Sequence, residues 1–154
     1  MEISLRKAAR EEIETLWQMQ VEAFSTLLEK YQDHDMSPAA ESLERVTEKF
    51  DQPFTTYYFI LRGDTAVGAV RVVDKKDGSR KRISPLWIMP GHRGNGYAQQ
   101  AITALETLYG PEHWQLDTIL QEKGNTHLYE KMGYVRTGKI EHVKENMDIV
   151  FYEK

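Results

Sequence analysis

The sequence predicts an α/β fold, a mixed sheet flanked by helices, in a single domain over residues 1–154. Three observations carry this. Apolar residues recur at helical spacing in some segments. β-Branched, aromatic and alternating runs fall between them. An apolar run ending at Met89 feeds straight into a glycine-rich turn and a new helical stripe. A length of 154 residues, 40% hydrophobic and 29% charged, suits one domain with a real core.

The elements follow in order. Ile3 to Lys7 alternates as a first strand. Glu11 to about Lys30 is a helix, with Ile13, Leu16, Trp17, Val21, Phe24, Leu27 and Leu28 on one stripe and Glu11, Glu12 and Glu14 at its positive end. Tyr31 to Met36 is a polar loop. Ser37-Pro38 reads as an N-cap and first-turn proline, opening one helix to about Phe50. Strands are predicted at Thr56 to Arg62 and Thr65 to Val73, turning at Gly63-Asp64, and after Asp77-Gly78 at Ile83 to Met89. Ala98, Ala101, Ile102, Leu105, Leu108 and Tyr109 make a helix ended by Gly110-Pro111. Trp114 to Leu120 is a short strand, a helix carrying Tyr129 follows, then Tyr134 to Thr137. A hairpin through Ile140 to Val143 and Met147 to Tyr152 turns near Glu145-Asn146. Alternation puts Met147, Ile149 and Phe151 on its core side. The order is β-α-α-β-β-β-α-β-α-β-β.

The segment Met89-Pro-Gly-His-Arg-Gly-Asn-Gly-Tyr-Ala98 builds an anion site. A helix N-terminus presents unpaired N–H groups and partial positive charge. Gly94 and Gly96 clear side chains from those donors, and Arg93 adds a forked cation. A P-loop is excluded because Tyr97-Ala98 stands where Lys-Ser/Thr is required. A dinucleotide fingerprint is excluded because Gln99 stands where the third glycine is required.

What remains, Arg93-x-x-Gly96-x-Ala98, resembles the coenzyme A pyrophosphate loop of the GCN5-related N-acetyltransferases (GNAT). A second element, Leu128-Tyr-Glu-Lys-Met-Gly-Tyr134, is similar to the family's last helix and following strand. The resemblance covers most of the chain. It implies a sheet splayed between its fourth and fifth strands, with the pantetheine arm of acetyl-CoA in the gap. The residues placed at the cosubstrate are Leu86, Trp87, Ile88, Arg93, Gly94, Asn95, Gly96, Tyr97, Ala98, Gln99 and Asn125. Backbone N–H groups of Leu86 to Ile88 are the source of an oxyanion hole. Pro85 interrupts ordinary pairing there.

By the same resemblance Tyr129 is the general acid for the departing thiolate. A phenol of pKa ~10 gives its proton to a thiolate of parent pKa ~8.5 only in concert with C–S cleavage. The family asparagine often stands seven residues before the tyrosine, where this chain has Glu122. Asn125, four before it, either contacts pantetheine or caps the helix. For a general base, Asp117, Glu122, His34 and Asp35 are the candidates, and a reaction without one fits as well.

The resemblance thus implies an acetyl-CoA-dependent N-acetyltransferase in which a primary amine attacks directly. The acceptor is a small molecule or a peptide or protein amine. One alternative is a non-catalytic acyl-CoA-binding sensor or regulatory domain, against which the Tyr129 hydroxyl speaks. Another is a partner-binding module with a purely structural loop. The chain has no cysteine, hence no thiol nucleophile of its own, and this fits a cytoplasmic setting. A net charge of −4 speaks against nucleic acid. No run has the length of a membrane span. No metal-ligand spacing is present. Acceptor pockets of the family lie at the segments matching Tyr31 to Ser37 and Ile140 to Met147, where Asp33 and Asp35 would attract an amine. Oligomeric state is left open.

Overall fold

The computed structural model describes residues 2–154. Seven strands, β1 (Ser4–Lys7), β2 (Thr55–Arg62), β3 (Thr65–Val73), β4 (Lys81–Ile88), β5 (Trp114–Ile119), β6 (Val135–Lys144) and β7 (Met147–Glu153), form one sheet in the order β1-β2-β3-β4-β5-β7-β6. Neighbours pair antiparallel except β4 and β5. That parallel contact is confined to Lys81 opposite Trp114 and Arg82 opposite Gln115. Beyond it, β4 continues with β3 as far as Ile88, and β5 with β7 as far as Ile119. The sheet therefore splays where the sequence placed the gap.

Strand alternation separates two cores. On one face α3 (Tyr97–Tyr109) and α4 (Lys123–Lys131) set Ala101, Ile102, Leu105 and Tyr129 against Ile60, Val70, Val72, Ile83, Trp114 and Tyr152. On the other, α1 (Ile13–Tyr31) and α2 (Leu43–Asp51) set Leu16, Ala23 and Val46 against Tyr57, Phe59, Ala69 and Trp87.

Three expectations are corrected. The single helix from Ser37 to Phe50 is two pieces, a 3-10 turn at Pro38–Ala40 and α2. Each has its own serine cap: Ser37 Oγ accepts from Ala39 N–H at 3.2 Å and Ser42 Oγ from Arg45 N–H at 3.1 Å. The extended residue between them, Glu41, turns its carboxylate inward to Gln20 Nε2 and Lys49 Nζ. The segments at Tyr134 to Thr137 and Ile140 to Val143 are one strand, β6, whose register slips between Arg136 and Ile140. On β7 Met147 is buried as expected, but the other buried side chains are Val150 and Tyr152, and Ile149 and Phe151, on the face opposite these two, are half-buried. There Ile149 borders the cleft and Phe151 lies under Lys139 at 4.4 Å.

Gly68 lets β3 pass close to β4. A Cβ built there meets the Trp87 carbonyl oxygen at 2.1 Å and Ile88 Cα at 3.1 Å, both backbone. Gly68→Ala is expected to cost about 2 kcal/mol or more by overpacking, read as a lower urea midpoint.

Candidate functional site

A cavity of about 810 Å³ opens between the diverging strands. Its walls come from β4, β5 and α4, its cover from the C-terminal half of α1, and one end from the loop before α3.

The loop end collects donors. Gly94 and Gly96 have φ of +82° and +77°, which glycine adopts at little cost, and the space beside both is open. The first bond of α3 runs from Gln100 N–H to the Gly96 carbonyl at 3.2 Å. The N–H groups of Tyr97, Ala98 and Gln99 therefore have no helical acceptor, and no side chain among the described residues caps them. Gly94, Gly96, Tyr97, Ala98 and Gln99 all line the cavity. The geometry fits a multiply charged phosphate group.

Arg93 lines the same end, but two of its donors are committed. Nε donates to the Ile88 carbonyl and Nη2 to the Ala23 carbonyl, both at 2.9 Å, tying the loop to β4 and α1. Asn95 folds back on the loop, its Nδ2 donating to the carbonyls of His92 at 3.0 Å and Arg93 at 3.3 Å. Among the loop residues expected at the cosubstrate it is the one that does not line the cavity.

The β4 wall is an unpaired strand edge. Met89 N–H donates to Val67 on β3 at 2.7 Å. By alternation the Trp87 amide also faces β3, whereas the Leu86 and Ile88 amides face the gap. The Ile88 carbonyl is taken by Arg93. Of the three expected amides, Leu86 and Ile88 are thus positioned to hold an oxyanion or an extended ligand, and Trp87 is not. The Trp87 indole packs edge-on against Phe24 at 6.0 Å, in the second core and at the cavity floor.

Opposite, Tyr129 is 9% exposed and packs its ring against Tyr134 at 6.0 Å and Tyr152 at 6.2 Å. Its hydroxyl makes no hydrogen bond among the described residues, and Tyr129 lines the cavity. Burial, with the negative charge of Asp117 adding to it, pushes the phenol up to about 12. It stays protonated through the neutral range and is a donor, not a base. Asn125 lies inside α4, with Glu122 at the N-cap position, so the capping alternative is set aside. Its Nδ2 instead donates to Thr118 Oγ1 on β5 at 3.3 Å, and it borders the cavity.

The far end is carboxylate-rich. Asp117 pairs with Arg82 at 3.3 Å. Glu122 receives Tyr31 Oη at 2.6 Å and Lys30 Nζ at 2.7 Å. Burial alone would raise its pKa, but those two bonds outweigh it and the net shift is downward. Asp33 is 8% exposed and lines the cavity, and among the described residues its carboxylate accepts one bond, from Met36 N–H at 3.3 Å. His34 and Asp35 are exposed and do not line it. Tyr31 and Arg82 were not singled out from sequence. The one closes a helix stripe and the other opens a strand, so neither carries a signal of its own. Among the described residues no three His, Cys, Asp or Glu side chains cluster as metal ligands, and no helix is long and apolar enough to cross a membrane.

The model of the acetyltransferase (GNAT) family matches residues 13–134. No curated protein matches the sequence. Among solved structures the chain is similar to an acetyltransferase from Salmonella typhimurium that modifies the N-terminal serine of ribosomal protein L7/L12 (15% identity, 99% of this chain and 94% of that one, TM-score 0.76). It is similar to the Thermoplasma acidophilum PaiA N-acetyltransferase in complex with coenzyme A (16%, 100% of both chains, 0.74). It is also similar to the Vibrio cholerae spermidine N-acetyltransferase in complex with CoA and spermine (16%, 98% and 94%, 0.74).

Two substitutions separate support from chemistry here. Tyr129→Phe removes a hydroxyl without a partner among the described residues and is expected to change stability by less than about 0.5 kcal/mol in urea melts. Arg93→Met removes two hydrogen bonds to carbonyls and is expected to cost about 1–2 kcal/mol in the same melts.

Proposed function

The chain belongs to the acetyltransferase (GNAT) family, and from that premise we propose that it transfers the acetyl group of acetyl-CoA to a primary amine by direct attack. One observation carries this reading. The gap between β4 and β5 sets the Leu86 and Ile88 amides on one wall, the unpartnered Tyr129 hydroxyl on the other, and the free N–H groups of α3 at its end.

Each group has a task. The N–H groups of Tyr97, Ala98 and Gln99 hold the pyrophosphate of the cosubstrate. The Leu86 edge pairs with the pantetheine amides as an added strand would. The acceptor nitrogen forms its bond to the thioester carbon while the Leu86 and Ile88 amides stabilise the oxyanion, a type of donor worth about 3 kcal/mol when one is deleted elsewhere. As the C–S bond breaks, Tyr129 gives its proton to the sulfur and recovers one from solvent. The amine releases its extra proton to water. Glu122, held ionised by Lys30 and Tyr31, is a poor acceptor for that proton at neutral pH. The unpartnered hydroxyl favours turnover over a binding-only sensor.

The acceptor we assign is a cationic amine. Asp33 is a buried carboxylate bordering the cavity without an ion-pair partner among the described residues, which suits an ammonium group. The similar structures carry names that include both a small polyamine and a protein N-terminus.

Calorimetry with acetyl-CoA tests the cosubstrate. Wild type is expected to bind and Gly96→Glu to lose binding, and a wild type that does not bind overturns the reading. With an acceptor in hand, Tyr129→Phe is expected to lower kcat about 10²-fold with binding retained, in the usual range for a lost proton donor.

In the same assay Asp33→Asn is expected to raise KM for cationic amines, while the exposed Asp35→Asn leaves it unchanged. Equal kinetics in both variants would remove Asp33 from the site. The rate is expected to rise with pH as the acceptor ammonium deprotonates. A raised phenol pKa keeps the active, protonated form to higher pH, so no alkaline limb from Tyr129 is expected until pH nears its value of about 12.

A further inference from the structure

Arg71 is 7% exposed on β3, and among the described residues it forms no ion pair. A guanidinium is always charged and costly to bury alone, so a charge kept there has a specific partner. That partner is the backbone of the reacting strand: Nη1 donates to the Ser84 carbonyl of β4 at 2.9 Å, and Nη2 reaches Gln52 Oε1 at 3.3 Å.

Ser84 sits in a bulge. Val72 is opposite Ile83 and Val70 is opposite Leu86, so Arg71 alone faces two residues, Ser84 and Pro85. A bulge of one residue reverses which amides face which side of a strand. Before it, Lys81 N–H donates toward β5, to His113 at 2.9 Å, and odd-numbered residues face that side. After it, Met89 N–H donates toward β3, and even-numbered residues, Leu86 and Ile88, face the gap. Without the bulge the Trp87 amide would face the gap, and those of Leu86 and Ile88 would be consumed by the β3 ladder. Pro85 leaves no orphan N–H in the bulge. The Ser84 carbonyl is a different matter, and Arg71 satisfies it.

The geometry points to Arg71 as a positioning residue, whose bond to Ser84 holds the β4 bulge in register and so aims the Leu86 and Ile88 amides into the cleft. This rests on the acetyl-transfer reading for what those amides bind, but not for the bulge itself.

The test uses the full chain as Arg71→Met and Arg71→Lys. Amide hydrogen exchange without ligand reads the bulge. Arg71→Met is expected to change protection at Leu86, Trp87 and Ile88 while the β1–β2 and β6–β7 ladders keep theirs, and Arg71→Lys, which retains a donor and the charge, moves back toward wild type. Calorimetry is expected to show acetyl-CoA bound at least tenfold more weakly by Arg71→Met. Unchanged exchange at those three amides overturns the proposal. So does a loss of affinity that only follows the melting temperature, with protection falling throughout the sheet. Should Arg71→Met not fold, Arg71→Gln, neutral and shorter, decides: a wild-type melt with altered exchange at those amides supports the assignment, and wild-type exchange at them overturns it. A wild type that fails to bind acetyl-CoA removes the functional reading, and the exchange result still decides the role of Arg71.

Discussion

Everything at the cleft depends on β4 and β5 parting after two paired positions, Lys81 with Trp114 and Arg82 with Gln115. A parallel pair in mid-sheet would ordinarily continue, because an unpaired N–H or carbonyl away from water is costly. Here β5 is held along its length by β7, and β4 turns its spare groups toward the gap through its bulge. The result is a sheet edge in the middle of a sheet. Such an edge is a template for another extended backbone, and a pantetheine arm, with its two amides, has that character.

The ladder lost across the gap is replaced by side chains. Arg93 joins the end of β4 to α1, Asn125 joins α4 to β5, and the C-terminus of α1 reaches the far half through Tyr31 and Lys30 to Glu122 and through its Gln32 carbonyl to Lys144 at 3.2 Å. Each bond of this kind contributes about 0.5–1.5 kcal/mol net. Helix α3 contributes more: its buried Ile102 and Leu105 belong to a core shared by Val70 on one half-sheet and Trp114 and Tyr152 on the other. The N-terminus of α3 is thereby rooted under both walls.

Much of this was legible in the sequence because it rests on local chemistry. Gly94 and Gly96 before a clean apolar stripe mark a loop and an uncapped helix start, and the placement of Tyr129 came with the resemblance of Leu128 to Tyr134 to the family's last helix. Faces and partners across distance were not legible. On β7 both alternating sets are apolar, so periodicity does not say that Val150 and Tyr152 enter the core while Ile149 borders the cleft. At the break before α2 Glu41 turns inward to Gln20, twenty-one residues back, a contact that no local window of sequence contains. Arg71 reads as one charged residue in an apolar strand, and only the register of β4 gives it a purpose.

The open cleft also makes the domain a partner in its own occupancy. The unfolded chain has no splayed edge and no oriented helix terminus, so a molecule held there binds the folded form alone. By mass action a ligand at a hundred times its dissociation constant adds about 2.7 kcal/mol to folding, a large share of the ~5–15 kcal/mol that a domain of this kind has. How long the chain lasts at a given temperature is then tied to the supply of whatever molecule fills the cleft.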